Sequence, residues 1–414
     1  MREMVSRSGL AALALVLVAA PAQAEDDAKR AADPSWTNAA YAEKMLERQE
    51  PVVGKALEIL KARASGQIAG DAVTVSGRFA GSGIFEESNI AGKFPILSRQ
   101  PKQHSGFTGQ TFVVNEGTVA LTLPLGPWIT LYNQVEYTDI EYPGQDKWQH
   151  RKAYVVIGDL KRSPFYAWIG RNTIDFGNFT SFSALTHNHS AHYFWAQPES
   201  VWNMAVGYAA DGWHVVATAI HGGRGLRVLN SPDEDGIDNF ALNASKAIHI
   251  TDGITLTLGG GYLNSTIYDD TFSHHPPGTS SSQRIRNGAW DVNAMLSWRQ
   301  LDVMFEFTKT ERDWPVVEWP VSAFTAQARY HLDLLNHPTI LSVMYSRGEQ
   351  GASGNNWREM KQLVAGMEVK VNRHLALTAE YIRNEGFAPL VRIVQTSDPD
   401  VKSDTAVIGV KVTF

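Results

Sequence analysis

What most narrows the folds open to this chain is a rhythm of connections. From about residue 71 onward, runs in which apolar and polar side chains alternate follow one another, separated by connections that are long and short in turn. Sixteen such runs stand near residues 72–84, 111–123, 128–138, 150–159, 164–172, 200–209, 213–221, 239–248, 253–264, 288–298, 301–310, 321–332, 338–346, 359–371, 374–384 and 405–414. A period of two, bounded by turn residues, marks a strand whose two faces meet different surroundings. Connections after odd-numbered runs are long: 85–110, 139–149, 173–199, 222–238, 265–287, 311–320, 347–358 and 385–404. Those after even-numbered runs take a few residues, as at Pro124 to Pro127, Ala210 to Gly212 and Asn372-Arg373. Long loops at one end and tight turns at the other are the habit of an outer-membrane barrel, whereas a soluble β-sandwich has no reason to keep two unlike ends. The expectation is an all-β transmembrane antiparallel barrel of about sixteen strands, give or take two.

The faces of individual runs agree. Ala406, Ile408, Val410, Val412 and Phe414 oppose Gly409, Lys411 and Thr413, and Trp290, Val292, Ala294, Leu296 and Trp298 alternate with Asp291, Asn293, Ser297 and Arg299. One face suits lipid and the other water. Trp128, Tyr137, Trp213, Tyr262, Trp290, Trp298 and Tyr330 fall near run ends, where interfacial girdles belong. Beyond the N-terminal 24 residues, no segment is long and apolar enough for a spanning helix. A membrane protein without such helices must close its sheet to satisfy its backbone in lipid.

Residues 1–24 have Arg2 and Arg7 before an apolar run from Gly9 to Ala20 and a small-residue site at Ala22-Gln23-Ala24, the pattern of a cleaved signal peptide. Residues 25–70 are alanine-rich and charged, with helices expected over 35–49 and 51–64. Val52, Val53, Ala56, Leu57 and Leu60 give the second an apolar stripe. The segment reads as a helical periplasmic linker in preference to a plug or coiled coil, and the barrel as residues 71–414. Cysteine is absent, which excludes disulfides and thiolate metal sites. Subtracting two basic residues and one acidic residue with the signal peptide leaves 35 Lys and Arg against 42 Asp and Glu. That mild acidic balance gives no support for nucleic-acid binding.

Alternation would point Arg78, Glu116, Glu136, Arg171, Asp291, Arg299, Asp302, Glu306, Arg329, Glu368, Lys370, Glu380 and Lys411 into the lumen. Both signs are represented, which disfavours a dedicated anion or cation pore. The plain alternative is a wetted wall whose charges pair across strands. The longest central loop carries His187, His189 and His192, which with Asp175 and Phe176 would sit at a vestibule. Three imidazoles so spaced could hold a metal, although a polar loop with histidines is commoner, and neither metal nor cofactor is expected. Pro232 to Asp238 clusters carboxylates without the spacing of a calcium loop. Asp175-Phe176-Gly177 lacks kinase context, and no nucleophile elbow is present, so no catalytic residues are expected.

One stretch carries a family signal. Ser163 to Phe179, SPFYAWIGRNTIDFGNF, resembles the LbtU-type siderophore porins, in which a Ser-Pro-Phe-Tyr turn leads through a Gly-Arg pair to a Phe-Gly-X-Phe segment. Asp175 stands where that pattern has proline. The resemblance implies an outer-membrane porin that takes up a ferric siderophore, with outer-membrane lipid and lipopolysaccharide as surroundings and a monomer or homotrimer as the assembly. A general or sugar-type diffusion porin is the first alternative, and a barrel enzyme or structural anchor the second.

Overall fold

The computed structural model describes residues 36–92, 106–140, 147–195, 202–221, 236–268, 286–315, 317–356, 358–388 and 398–414. The signal-peptide reading of residues 1–24, His274-His275 and most of the 232–238 carboxylate cluster lie outside them. The strands are β1 Thr74–Ser88, β2 Thr108–Leu125, β3 Ile129–Tyr137, β4 Trp148–Ile157, β5 Phe165–Arg171, β6 Trp202–Ala210, β7 Trp213–His221 and β8 Ile237–Thr251. They continue as β9 Ile254–Leu263, β10 Ala289–Trp298, β11 Leu301–Trp314, β12 Trp319–Leu334, β13 His337–Glu349, β14 Glu359–Lys370, β15 Leu375–Ala388 and β16 Asp398–Thr413. Each pairs antiparallel with its sequence neighbours, and β1 pairs with β16, so the sheet is a closed barrel of sixteen strands.

The rhythm of connections is therefore the rhythm of the hairpins. Several strands run further than the sequence pattern indicates, mainly at the long-loop end. β1 reaches Ser88, β13 reaches Glu349, and β16 begins at Asp398. Pairs such as Glu385 with Lys402 and Glu349 with Glu359 show why. Here the hairpins carry polar residues on the outside as well, and the alternation that identifies a strand fades while its backbone pairing continues.

Closure is sealed at the last residue. Gly77 N–H donates to the Phe414 carbonyl at 2.8 Å, and Phe414 N–H to the Gly77 carbonyl at 3.0 Å. A β-carbon at Gly77 would overlap the Phe414 ring, so the glycine leaves the seat in which that ring lies. Outside, Val119, Leu121, Ile169, Val206, Leu242, Val292, Phe305, Val343 and Leu363 form an exposed apolar belt. Trp128, Trp213 and Trp298 ring the short-turn end, and Trp148, Trp202, Trp290 and Trp319 the other. A closed sheet with an apolar belt between two aromatic girdles belongs in the outer membrane of a Gram-negative bacterium. No helix among the described residues is long and apolar enough to cross a membrane.

Two helices precede the barrel, α1 Ala39–Leu46 and α2 Lys55–Ser65. Asn38 caps α1, its Oδ1 accepting from Tyr41 N–H at 2.9 Å. Glycines with positive φ, Gly54 and Gly66, flank α2. The second helix thus begins after Gly54 rather than at Pro51. Its Ala56, Leu57, Ile59, Leu60 and Ala62 are buried, together with Tyr41 and Met45 of α1, against Ala120, Tyr132, Tyr154, Val156, Tyr166, Trp168, Ala205 and Val216. Those partners are inward-facing residues of β2 to β7. The helices therefore lie inside the barrel, which corrects the preference for a linker: residues 36–70 form a plug. A side chain the size of leucine or isoleucine gains roughly 1.5–3 kcal/mol from full burial, so Leu57, Ile59 and Leu60 alone give α2 a strong reason to stay on the wall.

Candidate functional site

The lumen is occupied by two inserts, the plug and the first stretch of the connection after β5. They meet in its middle. The plug is fastened by charge. Glu47, just past α1, lies 3.0 Å from Arg78 of β1 and 2.6 Å from Lys411 of β16. Arg78 also pairs with Glu116 of β2 at 2.7 Å and donates to the Leu46 carbonyl at 2.7 Å, while Lys411 pairs with Glu368 of β14 at 2.6 Å. Arg48 approaches Glu116 at 3.6 Å, and Lys370 of β14 reaches Glu43 at 2.6 Å. Burial pushes the Glu47 carboxyl up, but Arg78 and Lys411 outweigh it and hold the group down at about 2. On the neighbouring strand β3 and the turn before it, Arg63 of α2 meets the wall, donating to Thr130 Oγ1 at 2.7 Å and to the Gly126 carbonyl at 2.5 Å.

The second insert is the loop from Asn172 to a short π-helical turn, Ala191–Trp195. It is expected at a vestibule, yet it folds into the barrel and crosses to the far wall. Phe176 and Phe179 are fully buried with Tyr193, Phe194, Tyr268 and Trp314, and Ala184 and Leu185 pack on Ile84, Met344, Val364, Ile382 and Val407. Wall side chains hold its backbone. Glu306 of β11 accepts from the N–H groups of Asn178 and Phe179 at 2.7 and 2.9 Å, and Gln327 of β12 accepts from Phe182 N–H at 2.9 Å. Glu380 of β15 takes Leu185 N–H at 2.7 Å and the Thr186 hydroxyl at 2.6 Å. Hydrogen bonds of this kind each contribute about 0.5–1.5 kcal/mol, so these wall side chains act as cleats for the loop.

Loop and plug are tied to each other. Asp175 Oδ1 accepts from Gly54 N–H at 2.9 Å, at the start of α2, and Gln49 Nε2 donates to the Phe182 carbonyl at 2.8 Å. Arg329 of β12 lies over the Phe182 ring, 4.5 Å from its centre, pairs with Asp302 of β11 at 2.8 Å and donates to the Gln49 carbonyl at 3.1 Å. Burial pushes the Asp175 carboxyl up to about 6, against the opposing pull of the Gly54 N–H and of Lys152.

Of the residues expected to line a pore, Arg78, Glu306, Arg329, Glu368, Lys370 and Lys411 face the lumen, engaged with plug, loop or one another. Glu136 of β3 faces inward and pairs with Arg151 of β4 at 2.7 Å. Arg171 and Arg299 are placed elsewhere. Tyr166, Trp168 and Gly170 are the inward set of β5, so Arg171 falls in the outward set with Phe165 and Ile169, in register with Ala153 and the exposed Trp202. Arg299 lies exposed in the turn between β10 and β11, at φ 54°. Asp175 and Phe176 are buried in the loop rather than open at a mouth. His189 is buried, and burial holds its ring down at about 3, against the opposing pull of the Lys361 backbone. His187 is half-buried, and His192 lies in the π-helical turn. No group of three metal-ligating side chains occurs among the described residues.

The plug and folded loop had their own signals in the sequence. Tyr154-Val155-Val156-Ile157 and Phe165 to Ile169 are apolar on both faces, which a water-lined strand does not need. Phe176, Phe179, Phe182 and Leu185 recur every third residue in an otherwise polar loop, marking a segment that packs on something.

No protein-family model and no curated protein matches the chain. Among solved structures, OprB of Pseudomonas putida is similar with a TM-score of 0.58 and 12% identity, over 82% of this chain and 94% of that one. OmpF of Salmonella typhi, in complex with daunomycin, gives 0.56 and 12% over 83% and 98%. The outer membrane channel DcaP of Acinetobacter baumannii gives 0.53 and 12% over 83% and 97%. At such identities the likeness is one of fold, and the fold is that of a sixteen-strand outer-membrane porin barrel.

Proposed function

We propose that the protein is an outer-membrane channel for a small solute, at rest closed by its own plug and loop, and that the solute is a ferric siderophore. The observation that carries the reading is the occupation of much of the lumen by the chain itself. A general diffusion porin works through a standing aqueous channel, whereas here residues 36–70 and 172–195 occupy the interior and are held by reversible polar contacts. Passage therefore requires rearrangement, which suits a channel serving a particular solute. The siderophore assignment rests on the resemblance of Ser163 to Phe179 to siderophore porins, and that stretch supplies β5, which packs on the plug, and Asp175, which bonds to it. The test is uptake of radiolabelled ferric siderophore by a deletion strain with and without the gene restored. Uptake that falls on deletion and returns on complementation supports the assignment, and unchanged uptake removes it.

A further inference from the structure

Beside the folded loop, the barrel wall carries polar groups whose hydrogen-bonding capacity the resting structure leaves unspent. Cross-strand register sets Thr325, Ser346, Gln362, Asn384 and Ser403 side by side on β12 to β16, all buried and all in the inward set. The loop engages the first two: Ser190 Oγ lies 2.9 Å from Thr325 Oγ1, and His189 N–H donates to Ser346 Oγ at 3.1 Å. The other three are left over. Both ends of the Gln362 amide, Asn384 Oδ1 and Ser403 Oγ have no hydrogen-bond partner among the protein's own described groups. Buried polar groups are nearly always paired, and leaving one unpaired is unfavourable. Packing alone would be served by an apolar wall, and the adjacent inward row, with Met344, Val364 and Ile382, is one.

We infer that this row is a solute track, uncovered when residues 186–190 lift from the wall, and that it takes an uncharged solute rich in hydroxyl, amide or hydroxamate groups. The five residues carry no charge, and the nearby carboxyls, Glu306 in register with Thr325 and Glu380 on β15, are committed to the loop. An anionic ligand would be desolvated there without a cation to meet it. The inference rests on the ferric-chelate reading and narrows it to neutral ferric tris-hydroxamates over anionic chelates.

The test is titration of the purified full-length protein in detergent with three probes: ferrichrome as a neutral ferric tris-hydroxamate, ferric citrate as an anionic chelate and maltotriose as an iron-free neutral polyol. Ferrichrome is expected to bind best, and Gln362→Leu to weaken it roughly tenfold, the scale of one lost hydrogen bond in a buried site. Without ligand, Gln362→Leu is expected to melt no lower than the wild type, because it removes an unsatisfied group. The chain has no cysteine, so Ser190→Cys with Thr325→Cys provides a clean staple. Oxidised, it is expected to abolish binding, and reduction to restore it. Ferrichrome binding undiminished by Gln362→Leu or by the staple overturns the track and leaves the chelate reading standing. Gln362-dependent binding of maltotriose with neither chelate bound keeps the track and overturns the chelate reading. Ferric citrate binding as tightly as ferrichrome overturns the selection of uncharged solutes, and silence from all three probes overturns both.

Discussion

At the scale of residues, the charges that alternation assigns to the lumen belong mainly to fastenings. Arg78 and Lys411 are the clearest, because both hold Glu47 of the plug. Held at about 2 against an ordinary 4.5, Glu47 contributes to plug docking in full above pH 4.5, and the contribution is lost as pH falls from 4.5 towards 2. Asp175 has the opposite sign. Its carboxyl is raised to about 6 from an ordinary 3.8, so the docked state binds the extra proton and loses stability as pH rises across that window. Asp175→Asn keeps an acceptor for Gly54 N–H without the buried charge. It is expected to slow hydrogen exchange at Gly54 at pH 7.5, by up to about 3 kcal/mol of docking free energy, and to change little at pH 4. Faster exchange at pH 7.5 would show that the charge, through Lys152, is needed for docking. Arg171 shows how residue-level reading goes astray. Charge invites an inward placement, but the register of β5 puts Arg171 in the outward set, at the long-loop end where a charge need not meet the apolar belt.

At the scale of elements, what was legible depended on whether a segment had two unlike faces. The sixteen strands were, because lipid on one side and polar groups on the other impose a period of two. The outer ends of the hairpins were not, because polar surroundings on both sides erase that period while pairing continues. The helices were legible as helices with one apolar face, but the pattern of α2 says only that something covers Leu57 and Leu60, and the cover lies far along the chain, on β2 to β7. The same holds for the loop, whose aromatic triplet spacing is local while its cleats, Glu306, Gln327 and Glu380, are distant. Leu60 is almost fully buried, its side chain close to Gly158 on the wall. Leu60→Asp places a charge there at a cost of about 3 kcal/mol or more. The expected outcome is that α2 amides exchange quickly while the barrel keeps its heat-modifiable migration on gels. A variant that fails to assemble at all would mean that the plug is needed to build the barrel rather than to close it.

At the scale of the whole molecule, the barrel and its contents are held by different forces. The wall depends on continuous backbone pairing from β1 round to β16, whereas the contents depend on one apolar contact face and a set of ion pairs and side-chain hydrogen bonds. The contents are thus held separately from the wall, which is what the proposed gating requires. Glu47→Gln weakens the latch between Arg78 and Lys411 by about 3 kcal/mol, near the lower end for breaking a buried pair because Glu116 and Glu368 remain as partners. Single-channel conductance in planar bilayers, wild type against Glu47→Gln at neutral pH, tests the closed lumen most directly. The wild type is predicted to conduct little and the variant severalfold more, with the barrel still folded; a large wild-type conductance, unchanged in the variant, would contradict the account.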